Sequence, residues 1–455
     1  VLTTAVAALL DVHAMLRART DLSDPANPRL VVPERGALDA ARLVTRIDAA
    51  GTSDLDALAA REARAAVNRL APADGIMLHT VWLDAGPSRT GRLVLVAHHL
   101  VVDGMSWRIL LPDLQAACTS LTEGRQPTLD PVPTPFRHWA HELLTQATTD
   151  NRTAELPTWT HLLDTPEPPI GHRPLDPTTD TAATMRSHTW TVPAGQAATL
   201  TGRTPAVFHT GVHEVLLATL AGAVLHGRPG TTDRGVLVDV EGHGRLPAGG
   251  MDVSRTVGWF TAVHPLRLDA SGIDLREACA GGPAAGALLK AVKEQAQAVP
   301  GDGLGHGLLR HLNPQTAEAM AALPHPQIGF NYLGRFPAAS PAGDPEPWQP
   351  AGETAVGGSV APDTPVAHAL EANAVVRDTP DGPELTLTLS RPTGLLGAEE
   401  TERLGTAWLD LLAGLAAHTG DPAAGGHTPS DFALLDLRQD EVDEFEADPA
   451  DDDLL

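Results

Sequence analysis

His98 and His99 stand side by side after a strand-like run, Leu93 to Ala97, and before a turn and an amphipathic helical pattern. Imidazole exchanges its proton near neutral pH, so a histidine held at the end of a rigid element is a candidate general base or acid. Strand periodicity sends neighbouring side chains to opposite faces, so the pair is expected to have unlike surroundings and only one is expected to act as the base. Gly104 is read as the residue that lets the chain turn. Asp103 is read as an acceptor bracing that turn, and Ser106 as the cap of the helix carrying Trp107 to Leu114. The plain alternative is a strand end whose imidazoles make local hydrogen bonds.

A second candidate follows another strand-like run, Val236 to Val240, which leads into Glu241-Gly242-His243-Gly244-Arg245. A carboxylate at a strand exit is held rigidly, while flanking glycines let the backbone approach a ligand closely. Glu241 and an imidazole from another lobe suit acid/base work on a substrate bound between them; structural pairing of Glu241 with Arg245 or a neighbour is the alternative. Asn331 and Tyr332, the only tyrosine in the chain, offer polar groups that can orient an amide or carbonyl. The glycine-flanked aromatics of Thr256 to Thr261 and Phe330 to Phe336 are equally suited to packing and turns.

These residues must be positioned by a chain of 455 residues, 42% of them hydrophobic, which is long for one core and predicts two lobes. The pattern predicts helix over 2–19, a proline-broken loop over 24–33, helix over 53–70, strands over 74–83 and 91–97, and the helix after His99. Further on it predicts a strand over 188–192 and a helix over 211–226. This mixed order indicates an α/β fold. The proline-rich stretch from Pro157 to Pro177 is the expected boundary, giving lobes over 1–165 and 178–437. Acidic residues crowd Asp440 to Asp453, so 438–455 is expected to be a solvated linker or a frayed helix.

With 57 acidic against 32 basic residues and a net charge of -25, neither nucleic acid nor an anionic membrane is expected as the main partner. Cys118 and Cys279 have no metal-ligand or disulfide spacing, which favours a reduced, cytoplasmic setting. No export or spanning segment is indicated at the start. The first helical pattern opens without an initiator methionine, so the chain reads as a portion of something larger. No phosphate-binding loop or dinucleotide fingerprint occurs. Nothing supplies a third ligand near His98, His99 or His243, so no metal is expected. Lys290 and Lys293 are expected on a helix surface, not at a pyridoxal site.

His98-His-Leu-Val-Val-Asp103-Gly104 matches the HHxxxDG motif of the condensation-domain superfamily. Together with Ser106-Trp-Arg108, Leu110, Asp113-Leu114, Glu241-Gly-His-Gly-Arg245, Val257-Gly-Trp-Phe-Thr261 and Asn331-Tyr-Leu-Gly334, it makes the chain resemble an epimerization domain of nonribosomal peptide synthetases. Pro135 to Trp139, His209 to Leu220 and Thr428 to Asp431 are of the expected kind. The usual opening motif and first strand are missing, Glu214 replaces a commoner aspartate, and Leu385 to Pro392 lacks the usual tryptophans.

The resemblance implies an α/β architecture, an α+β sandwich of two chloramphenicol-acetyltransferase-like lobes in a V-shaped pseudo-dimer with a tunnel between them. It implies an isomerase acting in antibiotic-type peptide biosynthesis: L-to-D epimerization at Cα of an aminoacyl or peptidyl thioester carried on phosphopantetheine. By this resemblance His99 and Glu241 exchange the Cα proton from opposite sides, Glu241 being preferred as the first to act from the L side. His98, Asp103, Gly104 and Ser106 support them, the helix after Gly104 offers its N-terminal dipole to enolate charge, and Asn331 and Tyr332 shape the site. No intrinsic cofactor is implied. The implied partners are an upstream peptidyl carrier domain, adjacent synthetase domains and, through the acidic tail, a downstream synthetase subunit. Condensation-type peptide bond formation and noncatalytic carrier binding are the alternative functions.

Overall fold

In a computed structural model, the described residues are 1–447 except 166, 228–234, 247, 337–346, 350, 352–357, 359, 433 and 436. They pack as two units. One comprises the described residues of Val1–Gln146, His243–Thr261 and Ala339–Ser359; the other comprises those of Ala147–Gly242, Ala262–Ala338 and Val360–Leu455. The change of unit at Gln146/Ala147 precedes the proline-rich stretch, and Pro157 sits in the first turn of a helix, Leu156–Leu163. Proline is compatible with a first turn, where its missing N–H has no carbonyl to serve. The sequence boundary also missed the return of 243–261 to the first unit, where Val253, Val257 and Phe260 are buried.

The first unit begins with α1, Leu2–Val12, and a short hairpin of β1, Arg19–Asp21, and β2, Arg29–Val31. Strands β3, Val44–Asp48, β4, Leu78–Asp84, and β5, Arg92–Ala97, form a sheet with β4 central, parallel to β3 and antiparallel to β5. The remaining principal helices are α2, Leu55–Val67, α3, Gly104–Thr122, and α4, Phe136–Gln146. Alternation along β5 explains the layering. Leu93, Leu95 and Ala97 pack with the core of α1 and α3, while Val94 and Val96 pack with Leu58 and Ala66 of α2. A strand covered on both faces reads as a continuous apolar run, as β5 does.

Helix α1 ends at Val12 and not at residue 19 because His13 leaves helical geometry at φ -95°, ψ 89°. Its buried Nε2 lies 2.8 Å from Asp113 of α3, which also receives Arg255 at 2.8 Å. Helix α3 runs beyond Leu114 to Thr122. Pro112 is tolerated on its exposed side, where water can serve the carbonyl left without an intrahelical donor.

The second unit contains β6, Met185–Val192, β7, Val236–Gly242, β8, Ala262–Leu268, β9, Ile328–Phe336, β10, Leu370–Thr379, and β11, Gly382–Pro392. They form one sheet in the order β6-β11-β10-β9-β7-β8, with β9 parallel to both neighbours and the other pairs antiparallel. One face is apolar: Val236, Val238, Val240, Phe330, Ala372, Ala374, Leu385 and Leu387 join a core with helices Val212–His226, Ala284–Gln297 and Ala398–His418. The helix Val212–His226 is buried at every residue from Val215 to Leu225, which explains its lack of a polar stripe. Among the described residues no single helix is long and apolar enough to cross a membrane.

The opposite face of that sheet is polar. Ser187 and Ser390 hydroxyls lie 2.8 Å apart, Thr189 and Thr388 hydroxyls 3.2 Å apart, and Asp239 Oδ2 lies 2.9 Å from His368 Nε2.

Lys293 corrects a surface expectation. It is buried and donates to Asp431 at 2.6 Å and to the Phe208 carbonyl at 3.1 Å, so the Thr428-Pro-Ser-Asp431 segment is tied to this helix. Of the two forms expected for the acidic segment, solvated linker or frayed helix, Gln439–Ala447 adopts the helix. Val442 is buried there, and Glu446 accepts from the His427 backbone at 2.7 Å. The rest of that expectation, 448–455, lies outside the described residues.

Several imidazoles in this unit are shifted toward the neutral form, the buried His306 most. His306 is pushed down to about 4, chiefly by burial and then against the opposing influence of Asp239, with Arg310, His311 and His264 adding to the depression. Burial also lowers His213, His264, His311 and His325. A folded state that binds fewer protons than the unfolded chain loses stability as pH falls from 6.5 to about 4, and His306 alone contributes about 3 kcal/mol across that window. Urea midpoints at pH 7.5, 5.5 and 4.5 are expected to fall in that order. A midpoint flat across this range would contradict the neutral-imidazole account.

Candidate functional site

In the first unit, the two histidines occupy different environments. His98 is extended at φ -71°, ψ 134°, its N–H bound to the Met77 carbonyl at 2.8 Å. Its Nδ1 accepts from Leu100 N–H at 3.2 Å, which leaves the ring proton to Nε2 when the imidazole is neutral. Burial, then the neighbouring His99, depresses its pKa and favours that neutral form. His99 begins a 3₁₀ turn, is exposed, and packs its ring against Trp259 with centroids 4.3 Å apart.

The turn after His99 is fixed by a buried polar knot. Asp103, not Ser106, is the N-cap of α3: its Oδ1 accepts from Ser106 N–H at 2.7 Å, and Ser106 Oγ accepts reciprocally from Asp103 N–H at 3.2 Å. Aspartate can accept the cap hydrogen bond from the third helical residue, and serine at that position completes the box. Asp103 also receives Arg245 at 2.9 and 3.0 Å and the Phe260 N–H at 3.2 Å. Ser106 Oγ accepts from Gly258 N–H at 3.2 Å, and its single proton is shared between Asp103 and the Gly258 carbonyl at 3.0 Å.

Gly104 does not supply a left-handed turn. It is the first residue of α3 with no positive φ, and an added Cβ would meet nothing within 4 Å. Gly258 is the sterically demanding position: a Cβ there would fall 2.3 Å from Phe136 Cδ2.

Arg245 is the main site residue whose role sequence reasoning missed. Considered as a partner of Glu241, its guanidinium instead serves Asp103 and the carbonyls of Val253 at 3.1 Å and Thr256 at 2.6 Å. It also lies 4.1 Å from the Phe260 ring centre. The available signal was the pairing of a motif aspartate with a motif arginine; sequence separation concealed it.

In the second unit, Glu241 is half-buried near the end of β7, directly opposite Val263 of β8. Its side chain shares the polar sheet face with Asp239, because Val240 between them points into the core. Asn331 falls on that same polar face. Tyr332 does not: it follows Asn331 in regular alternation and packs against the apolar core. The period of the strand thus directs Asn331 and Tyr332 to opposite faces of β9. His99 belongs to one unit and Glu241 to the other. Among the described residues no three His, Cys, Asp or Glu side chains converge on a metal position.

Residues 1–435 match the family model "Condensation domain". Over 377 residues the chain is 34% identical to one of the linear gramicidin synthase proteins of Brevibacillus parabrevis, covering 82% of this chain and 5% of that protein. It is 32% identical over 387 residues to chondramide synthase of Chondromyces crocatus, covering 82% and 9%. The chain thus spans a small part of the curated relatives it matches. Its structure resembles the epimerization domain from the third module of tyrocidine synthetase B, with TM-score 0.76, 23% identity and coverage of 92% and 89%. It also resembles the first condensation domain of the calcium-dependent antibiotic synthetase, with TM-score 0.60, 20% identity and coverage of 93% and 89%. At these identities the two structures bear on the fold, and the mixed helix-and-sheet layers of both units are of that kind. The match over nearly the whole length, together with the braced histidine turn, makes this chain a member of the condensation-domain family.

Proposed function

We propose that this domain epimerizes the Cα centre of an aminoacyl or peptidyl thioester carried on the phosphopantetheine arm of a carrier domain, from L to D, during cytoplasmic nonribosomal peptide synthesis. The observation that carries this reading is Glu241, a carboxylate at a strand exit on a polar sheet face, in a chain whose His99 is presented beyond a braced turn. Condensation needs a base for an amine; inversion needs two groups that exchange one carbon-bound proton. The Glu241-Gly-His-Gly-Arg245 and Asn331-Tyr-Leu-Gly334 motifs favour the second chemistry.

One group removes the Cα proton, leaving charge delocalised onto the thioester carbonyl oxygen. The other delivers its own proton to the opposite face, and the original base keeps the proton it took. Glu241 is assigned the first step from the L side and His99 the delivery, the roles reversing for the D isomer. His98, with Nδ1 occupied, and the knot of Asp103 and Ser106 hold the His99 turn. The N-terminus of α3 at Gly104 is assigned to enolate charge. Asn331 is assigned to the carbonyl, whereas Tyr332 acts from the core side by supporting β9. The carrier domain and neighbouring synthetase domains are the proposed partners, with the acidic tail over 438–455 as a contact to a downstream subunit.

The test is incubation with a carrier-loaded L-aminoacyl or L-peptidyl thioester in heavy water. Deuterium entry at Cα with appearance of the D isomer is expected. Peptide bond formation with an added acceptor and no exchange would replace this reading by condensation. Carrier binding with neither outcome would replace it by a noncatalytic role.

A further inference from the structure

The register of the second unit's sheet aligns side chains that lie far apart in sequence. Asn331 of β9 pairs with Asn373 of β10, Asn373 with Thr388 of β11, and Thr388 with Thr189 of β6. Directly paired residues in neighbouring strands project from the same face. Val240 and Phe330 are paired in parallel, so Glu241 and Asn331 are the next positions along their strands and continue this row. The row therefore runs Glu241, Asn331, Asn373, Thr388, Thr189 across five strands of the polar face.

Three properties make this row more than a solvated surface. Its members beyond Glu241 are all uncharged, and each carries both hydrogen-bond donor and acceptor capacity. Among the described residues, no hydrogen bond joins the side-chain amides of Asn331 and Asn373 to the protein, whereas the Thr388 and Thr189 hydroxyls lie 3.2 Å apart and can each still serve a ligand. The row is also accessible: Asn331, Asn373 and Thr388 are half-buried, and Thr189 is exposed. With strands about 4.8 Å apart, Asn331 to Thr189 spans about 14 Å, the length of about four residues of extended chain.

A peptide backbone offers one donor and one acceptor per residue along its whole length. A lone aminoacyl group has no such repeated amides. We infer that this row binds the upstream backbone amides of an extended peptidyl chain, with Asn373 and Thr388 as positioning residues that select longer acyl groups over a single aminoacyl group. This assignment rests on the proposed function for where the chain's reacting end lies, beside Glu241. Asn331 meets the amide nearest the reacting carbon, and Asn373 and Thr388 meet those further upstream.

The probes are pantetheine amides, with nitrogen replacing the thioester sulfur, bearing one, two or four residues. Binding to the intact domain is measured by calorimetry alongside deuterium exchange with the matching carrier-loaded thioesters. Affinity is expected to rise with acyl length, and N373A to weaken the four-residue probe about fivefold, the equivalent of one hydrogen bond, while leaving the one-residue probe unchanged. T388V is expected to act in the same selective way, and unchanged melting of either variant separates binding from folding. E241Q is expected to lose exchange from the L isomer while keeping the length dependence. Affinity independent of acyl length, or equal weakening of all probes by both N373A and T388V, would overturn the row. Length-dependent binding with no exchange in the unaltered domain would overturn the proposed epimerization and leave the row standing.

Discussion

Replacing His99 with alanine, or Glu241 with glutamine, is expected to lower the rate of inversion at Cα by about 10²–10⁴-fold each, the usual contribution of one general acid or base. The folded state should hardly respond to the histidine change, since His99 is exposed and its main contact is the tilted ring of Trp259. E241Q keeps the size and shape of the side chain while removing its basicity. In the proposed scheme each variant retains one half of the exchange. A single-turnover experiment starting from the L and D isomers separately should therefore show opposite patterns: a variant lacking the base for one isomer can still wash deuterium into the other. Equal, modest losses from both directions would assign these residues to binding and remove them from proton transfer.

The largest stability effect is expected at Arg245 and Asp103. Both are almost fully buried, and their ion pair is embedded in hydrogen bonds from Ser106 and Phe260. Removing one partner leaves an uncompensated buried charge, so R245A or D103A should destabilise the first unit by about 3–5 kcal/mol. Arg245 Nε is buried without a hydrogen-bond partner, so part of the pair's attraction already offsets an unsatisfied donor. The double variant R245M/D103L should cost less than the two single changes added together, because it removes both charges. Amide hydrogen exchange over 98–108 provides the local readout. Additive costs would show that the two residues act independently and that Arg245 is held mainly by Val253, Thr256 and the Phe260 ring.

These two results distinguish kinds of motif residue that sequence alone presents together. His99 and Asp103 belong to one short motif, yet one is exposed and the other has every carboxylate oxygen engaged. An aspartate already accepting from Arg245, Ser106 and Phe260 is suited to hold a turn, not to shuttle a proton. Its loss should therefore affect catalysis through the placement of His99, with rate and stability falling together.

Local features were legible in the order of residues. Continuous apolar runs in β5 and β7 marked strands because their burial demands it, and the motif segments marked the ends of those strands. The helix around Val212–His226 was legible for the same reason. Short, mixed strands such as β3 were not, because five residues with one polar face carry little periodic signal. Which distant groups meet was settled by packing. Arg245 joins Asp103 because residues 243–261 return to the first unit, and no local propensity encodes that return. Lys293 is buried because Asp431 compensates its charge from far along the chain. Tyr332 and Asn331 part company because a strand reverses side-chain direction at every residue, and only the identity of the covered face tells which of the two remains accessible. The row from Glu241 to Thr189 depends on register across five strands, which is set by cooperative pairing and burial of the opposite face.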